Sequence, residues 1–235
     1  RGSRMYKAVL FDLFGTLIEP PPMPVYRQMV GDVATALGIS FEELNEPWMS
    51  INDGRLDGRF ESSEGDILAA AELVGVEVSE SQLAKCMDIR RSITREFLTP
   101  KNGALEMLDD LVEMDCALGL VTDCVYDVPA VWAETDFFPY FSAAHYSCVT
   151  HVRKPDARAY KGVLDLLEVP ASEALFVGDG GSDELNGAVR AGMDAVMISD
   201  LTPESGEVMR VGVVDWDGPV VSSMPEITSY VQNNG

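Results

Sequence analysis

The apolar pattern of the chain predicts an α/β fold: a parallel sheet with crossover helices, interrupted after its first strand by an inserted helical domain. Three observations carry that expectation. Short apolar runs alternate with helical patterns, as they do when helices link the strands of a parallel sheet. One long stretch, from about Pro24 to Leu98, carries helical patterns and almost no strand signal. Several apolar runs end on an acidic or small polar residue, and ligands of open α/β sheets bind at such strand ends.

Strands are expected over Lys7–Leu13, Ala117–Thr122, Ala143–Tyr146, Ala174–Gly178, Ala195–Ser199 and Val211–Val214. Between them, helical patterns cover Gly103–Glu113, Pro155–Leu167 and Asp183–Ala191. Within the helical stretch, Val25–Leu37, Phe41–Ile51, Glu64–Val74 and Ser79–Phe97 each make a helix. Proline-bearing segments flank this block: Glu19-Pro20-Pro21-Pro22-Met23-Pro24 on entry and Thr99-Pro100-Lys101-Asn102-Gly103 on exit. Such segments are extended and fairly stiff, and two of them side by side make a hinge. The expected division is therefore a core of residues 5–19 and 100–235 and an inserted domain of residues 20–99. The opening Arg1-Gly2-Ser3-Arg4 reads as a tag remnant, and no signal-peptide pattern follows it.

Charge narrows the function classes. The 235 residues carry 17 Lys plus Arg and 39 Asp plus Glu, a net charge of −22. That sign opposes binding to a nucleic-acid backbone or to an anionic membrane surface. Apolar residues are 46% of the chain, ordinary for a globular protein. The longest apolar runs, such as Ala8–Phe11 and Ala174–Val177, are too short to span a membrane. Cys86, Cys116, Cys124 and Cys148 lie far apart with no Cys-x-x-Cys pair, which points to reduced thiols and a cytoplasmic protein.

Three of the strand ends are chemically interesting. Ala8–Phe11 ends at Asp12, Leu118–Val121 at Thr122-Asp123, and Leu175–Gly178 at Asp179. In a parallel sheet these ends share one edge, so Asp12, Thr122 and Asp179 can converge. Asp183 follows Asp179 across Gly180-Gly181-Ser182 and either joins the site or caps the next helix. Clustered carboxylates repel, so they protonate or share a cation, and a hard cation such as Mg²⁺ suits oxygen ligands.

Taken together, these segments resemble the haloacid dehalogenase superfamily. The first motif is Phe11-Asp12-Leu13-Phe14-Gly15-Thr16-Leu17, the second Leu120-Val121-Thr122-Asp123, the third Arg153-Lys154-Pro155-Asp156, and the fourth Gly178-Asp179-Gly180-Gly181-Ser182-Asp183. Each alone is weak, but four in order are a specific signal. The resemblance implies a Rossmann-like, doubly wound core with a helical C1 cap. It implies Asp12 as the nucleophile that forms an aspartyl intermediate. It implies Mg²⁺ held by the Asp12 carboxylate, the Phe14 carbonyl, Asp179 and, directly or through water, Asp183. Thr122 and Lys154 would bind the phosphoryl group, the hydroxyl by donating and the lysine by neutralising charge.

The chain departs from the family's phosphatases at Phe14. A second Asp usually stands there and protonates the leaving oxygen, a role phenylalanine cannot fill. General acid catalysis contributes ~10²–10⁴-fold, so its loss slows ester hydrolysis without excluding it. The main expectation is a Mg²⁺-dependent phosphohydrolase acting on a small anionic metabolite, as a monomer or homodimer. A 2-haloacid dehalogenase is the alternative: those enzymes lack the second Asp, since halide leaves without a proton. Gly178-Asp179 and Thr122-Asp123-Cys124 differ from that group's usual sequences. A phosphonate hydrolase would need a cap lysine, and the inserted domain offers Lys85. A binding module on a degenerate scaffold is the remaining, non-enzymatic reading.

Specificity is expected from the inserted domain. Its glycine-rich loop, Asn52 to Arg59, carries Arg55 and Arg59, which either reach an anionic substrate group or pair on an exposed turn with Asp53, Asp57 or Glu61. Trp48 and Phe60 line a pocket or pack the domain's core. Asp123 is a candidate polar contact at the cleft floor. His151, three residues before Lys154, is a candidate substitute acid.

Overall fold

The computed structural model describes residues 6–199 and 215–234. Among the described residues, six parallel strands form one sheet in the order β3-β2-β1-β4-β5-β6. They are β1 (Ala8–Phe11), β2 (Ala117–Thr122), β3 (Ala143–Tyr146), β4 (Ala174–Gly178), β5 (Asp194–Ile198) and β6 (Val220–Val221). β1 and β4 are buried along their whole length, which is why they read as unbroken apolar runs. Side chains alternate across the sheet. Val9 and Phe11 face one apolar cluster, with Leu118, Leu120, Leu175 and Val177. Ala8 and Leu10 face the other, with Phe176, Tyr160 and Val163. The two faces make an α/β sandwich of the doubly wound type. Among the described residues, no helix is long and apolar enough to cross a membrane.

β1 is shorter than its apolar run. The Leu13 carbonyl accepts the amides of Leu17 at 2.9 Å and Ile18 at 3.1 Å, so the chain turns tightly and leaves the ladder after Phe11. The expected strand Val211–Val214 falls outside the described residues. β6, which pairs with β5 through Met197↔Val220 and Ile198↔Val221, has no counterpart in the expected set.

Between β1 and β2 run five helices: α1 (Met23–Leu37), α2 (Phe41–Ser50), α3 (Asn52–Leu56), α4 (Ser63–Leu73) and α5 (Glu80–Phe97). Capping boxes start two of them, Ser40 with Glu43 for α2 and Ser79 with Gln82 for α5. These helices close on their own apolar cluster, which includes Met29, Val33, Leu44, Trp48, Ile67 and Cys86. The entry and exit segments meet: Ile18 bridges Pro100, the Lys101 amide donates to the Leu17 carbonyl at 2.9 Å, and Lys101 Nζ donates to the Gly15 carbonyl at 2.8 Å.

The remaining helices wrap the sheet: α6 (Ala104–Glu113), α7 (Asp127–Val131), α8 (Ser147–Thr150), α9 (Ala157–Leu167), α10 (Glu184–Arg190) and α11 (Met224–Asn234). α9 starts on Asp156, whose carboxylate accepts the Arg158 amide at 2.9 Å. α10 starts at Glu184 rather than at Asp183, because Ser182 and Asp183 both take left-handed backbone, at φ 54° and 53°.

The strand order reverses between β1 and β4. The chain runs outward from β1 through β2 to β3, then returns to the other side of β1. A crevice opens at such a switch point, outside the carboxyl ends of the strands.

Candidate active site

Phe11 is paired with Leu120 of β2 and Val177 of β4, so the residues just beyond these positions stand on one edge. Asp12 is the first residue past β1, and its amide donates to the Val177 carbonyl at 2.9 Å. Its carboxylate is buried, only 5% exposed. Thr16 Oγ1 donates to Asp12 Oδ2 at 3.2 Å, and Lys154 Nζ donates to Asp12 Oδ1. Asp179 follows β4, with Oδ1 accepting the Gly181 amide at 3.0 Å. Gly15 sits at φ +85°, and a Cβ there would lie 2.3 Å from Asp179 Oδ2. Glycine at this position lets the β1 turn and Asp179 share the crevice.

The lysine is shared. Lys154 Nζ also donates to Glu184 Oε2 at 2.6 Å, and Glu184 Oε1 accepts the Gly180 amide at 3.0 Å. Carboxylate oxygens of Asp12, Asp179 and Glu184 all lie within 4.8 Å of one another. Thr122 ends β2, and its buried hydroxyl has no hydrogen-bond partner. Asp123 turns to the third motif: its Oδ1 accepts the Lys154 amide at 3.0 Å and so orients that loop.

Asp12 and Glu184 thus share the Lys154 ammonium, and the Asp179 carboxylate lies beside them. Burial pushes the Asp12 carboxyl up, against the pull of Lys154, and Asp179 pushes it further. Burial, then Asp12, pushes Glu184 up to about 8 despite Lys154. Burial opposes the charge of Lys154, but Asp12, Glu184 and Asp123 outweigh it and hold the ammonium well above its ordinary value. A cluster of buried carboxylates, built from hard oxygen donors, fits a divalent cation such as Mg²⁺.

Asp183 is not in this cluster. It bonds Asn186 Nδ2 at 2.7 Å and Arg190 Nη2 at 2.8 Å, and these two hold its carboxyl below the usual range. Glu184 stands where Asp183 was expected, because the left-handed pair Ser182-Asp183 swings the chain by one residue. The two adjacent acids at 183 and 184 were the visible signal; spacing alone could not say which faces inward.

A cavity of about 240 Å³ lies between these residues and the helices α1–α5. Its floor is Asp12, Asp123, Lys154, Asp179 and Glu184, and Trp48, Arg55 and Arg90 line its other side. Phe14 lines it as well. Arg55 is buried rather than on an open turn, with its guanidinium carbon 4.4 Å from the centre of the Trp48 ring. Arg59 is exposed and outside the cavity lining, so the two arginines do not act together. Trp48 both packs the helical core and lines the cavity. Phe60 is outside the lining, and Lys85 is exposed on α5.

Arg90 occupies an ordinary position of an amphipathic helix, and nothing in the local sequence marks it. It is buried, bonded to Asp66 Oδ2 of α4 at 3.0 Å and to Asp127 Oδ2 of α7, and so ties the inserted helices to the sheet domain. A second tie lies at the α3 turn. Ser147 Oγ donates to the Leu56 carbonyl at 2.8 Å, and His151 Nδ1 bonds the Asp57 carbonyl at 2.8 Å. Gly58 is at φ +71°, and a Cβ there would lie 1.8 Å from the Cys148 carbonyl oxygen. His151 therefore serves this contact and does not line the cavity. Arg153 joins the same contact, 3.2 Å from Asp53 Oδ1.

The family model for haloacid dehalogenase-like hydrolases matches residues 6–192. A phosphoglycolate phosphatase of Pseudomonas savastanoi pv. phaseolicola is 28% identical over 206 residues, 84% of this chain and 71% of that protein. Among solved structures, a HAD phosphatase from Thermococcus onnurineus superposes with a TM-score of 0.66 at 21% identity, covering 96% of this chain and 97% of the other. A 2-haloacid dehalogenase from Pseudomonas syringae pv. tomato superposes with a TM-score of 0.70 at 22% identity, covering 97% and 99%. The two structural likenesses concern the fold, which carries both activities.

Proposed function

This chain belongs to the haloacid dehalogenase-like hydrolases, and from that premise we propose that it hydrolyses a small phosphorylated metabolite through an aspartyl-phosphate on Asp12. The observation that carries this choice is the cluster of Asp12, Asp179 and Glu184 around Lys154, a donor set suited to a hard divalent cation. A haloacid dehalogenase forms an alkyl ester and has no phosphoryl charge to neutralise. Likeness to phosphoglycolate phosphatases supports the same direction.

The chemistry divides among the chain's own residues. One Asp12 carboxylate oxygen attacks phosphorus while the ester P–O bond breaks. Lys154 and Thr16 orient that carboxylate, and Lys154 also offsets the repulsion between two anions. The unpartnered Thr122 hydroxyl is free to donate to a phosphoryl oxygen. In the second step water attacks phosphorus, and Asp12 leaves as a carboxylate. Mg²⁺, held by Asp12, Asp179, Glu184 and the Phe14 carbonyl, would neutralise phosphoryl charge when bound. Asp183, engaged with Asn186 and Arg190, supports the loop instead.

Phe14 leaves the leaving oxygen without a side-chain acid, so its proton comes from solvent. Substrates with good leaving groups are accordingly favoured. The α1–α5 domain, residues 20–99, would act as a cap that closes over the cavity and excludes water. The four cysteines are buried free thiols, in keeping with a reducing cytoplasm.

The 2-haloacid dehalogenase reading is favoured by one observation, the phenyl ring of Phe14 on the cavity wall. One panel separates the two: aryl, sugar and nucleotide phosphates and acyl phosphates, with and without Mg²⁺, beside 2-chloropropionate. Mg²⁺-dependent phosphate release, abolished in Asp12→Asn, is expected. Halide release without phosphate release would replace this function with the dehalogenase, and silence throughout would leave a binding module.

A further inference from the structure

Two arginines line the cap side of the cavity, and they differ in what neutralises them. Arg90 is fully committed: its guanidinium meets Asp66, Asp127 and the Ser63 carbonyl. Arg55 is not. It is 3% exposed, yet both of its hydrogen bonds leave from Nη2, to Asn52 Oδ1 at 2.8 Å and to the Tyr26 hydroxyl at 3.2 Å. Its buried Nε has no partner, and no described carboxylate lies within ion-pair distance of it. Asp66 feels Arg55 electrostatically, but its hydrogen bond goes to Arg90. Leaving a buried donor unmet on a charged group is costly, and the cost is recovered when an anion arrives.

The guanidinium is also held in place. Trp48 stacks on it, and the Trp48 indole N–H donates to the same Tyr26 hydroxyl at 3.0 Å. All four of these residues belong to the inserted helices, so Arg55 rides on the cap while Asp12 and Lys154 sit on the floor. The same cavity is lined by apolar side chains: Met29, Ile93 and Phe97 from the cap, Val125 and Val128 from the core. A preorganised planar fork of this kind suits a carboxylate better than a point charge does.

We propose that Arg55 anchors a carboxylate on the non-reacting end of the substrate, so that the substrate class is phosphorylated carboxylic acids with an apolar or aromatic body between the two charges. The phosphoryl end meets Asp12, Lys154 and Thr122; the body lies against the apolar side chains of the lining; the carboxylate takes the free edge of Arg55. The phosphoryl part of this assignment rests on the phosphohydrolase function proposed above, whereas the carboxylate part stands apart from it. The apolar side chains of the lining favour a hydrocarbon body over a polyhydroxylated one.

Two measurements on the intact protein test it. The first uses phosphate-free ligands: benzoate against benzyl alcohol, and separately inorganic phosphate, titrated into wild type, Arg55→Met and Arg55→Lys by calorimetry. Benzoate is expected to bind wild type, to lose about tenfold or more in affinity in Arg55→Met, and to recover part of it in Arg55→Lys. The second compares phenyl phosphate with 4-carboxyphenyl phosphate. In wild type the carboxylated ester is expected to have a kcat/KM about tenfold or more above the plain ester, mostly through KM, and Arg55→Met is expected to bring the ratio near one. Circular dichroism confirms that each variant is folded, and Arg55→Lys serves where Arg55→Met is not.

Failure of the two parts looks different. Benzoate binding through Arg55 without turnover of either ester would keep the carboxylate anchor and remove the phosphohydrolase. Turnover of both esters with the same ratio in wild type and Arg55→Met would overturn the anchor, since a purely structural Arg55 would lower both equally. Inorganic phosphate binding that depends on Arg55, with no benzoate binding, would also overturn it.

Discussion

Glu184 accepts a hydrogen bond from Lys154 at 2.6 Å, and both side chains are buried. That pairing puts Glu184, one residue beyond the expected Asp183, into the acidic cluster with Asp12 and Asp179. Replacement of each acid should therefore give opposite results. Glu184→Gln is expected to weaken Mg²⁺ binding and phosphate release at least tenfold. Asp183→Asn should keep both within about threefold and lower stability by ~0.5–1 kcal/mol, since its partners are exposed or at the surface. Calorimetric Mg²⁺ titration beside a denaturant melt checks the contrast.

The raised Glu184 carboxyl also makes stability depend on pH. Its native value near 8 exceeds the ~4.3 of an unfolded glutamate, so the native protein keeps a proton that the unfolded chain has lost. The contribution is complete below the unfolded value and is lost as pH rises through about 8. Without divalent metal, wild-type Tm should fall relative to that of Glu184→Gln between about pH 5 and pH 9. Saturating Mg²⁺, by favouring the ionised carboxylate, should flatten the difference. Parallel Tm profiles would show that Glu184 does not titrate there.

Phe14 sets the dependence on the leaving group. With no side chain to protonate the departing oxygen, kcat/KM should fall steeply as the pKa of the leaving alcohol rises. Phe14→Asp is expected to flatten that dependence and to raise turnover of alkyl phosphates by up to ~10²-fold, the low end of general acid catalysis. An unchanged slope in a folded Phe14→Asp protein would mean that protonation is not the missing element.

Arg90 joins the cap to the core through buried carboxylates on both sides. Removing one partner strands a buried charge, which costs about 3–5 kcal/mol. Asp127→Asn should therefore lower unfolding free energy by that order in urea melts, whereas Arg95→Ala should do little, because its bond to Glu134 is exposed.

Much of the scaffold was legible because strand ends are written in local sequence. The unbroken apolar runs of β1 and β4 locate Asp12 and Asp179, since a strand buried on both faces has no polar residue until it leaves the sheet. Capping boxes and prolines mark the inserted helices for the same local reason. Glu184 was not legible, because two left-handed residues, Ser182 and Asp183, decide which acid turns inward. Nor was the burial of Arg55, which depends on Tyr26 arriving from α1, 29 positions away in the chain. His151 had the right chemistry and the wrong place: its ring is taken up by the Asp57 carbonyl at the α3 turn.

The most direct test is to trap the intermediate. Wild type is mixed with Mg²⁺ and an aryl phosphate, quenched in acid within one turnover, digested, and the peptide bearing Asp12 weighed. A phosphoryl group on that peptide, acid-stable, cleaved by hydroxylamine and absent from Asp12→Asn, is the predicted result. An unmodified Asp12 during a phosphate burst would contradict it. So would heavy oxygen from labelled water appearing in the Asp12 carboxylate during turnover of 2-chloropropionate, because water would then attack the carboxyl carbon of an alkyl ester.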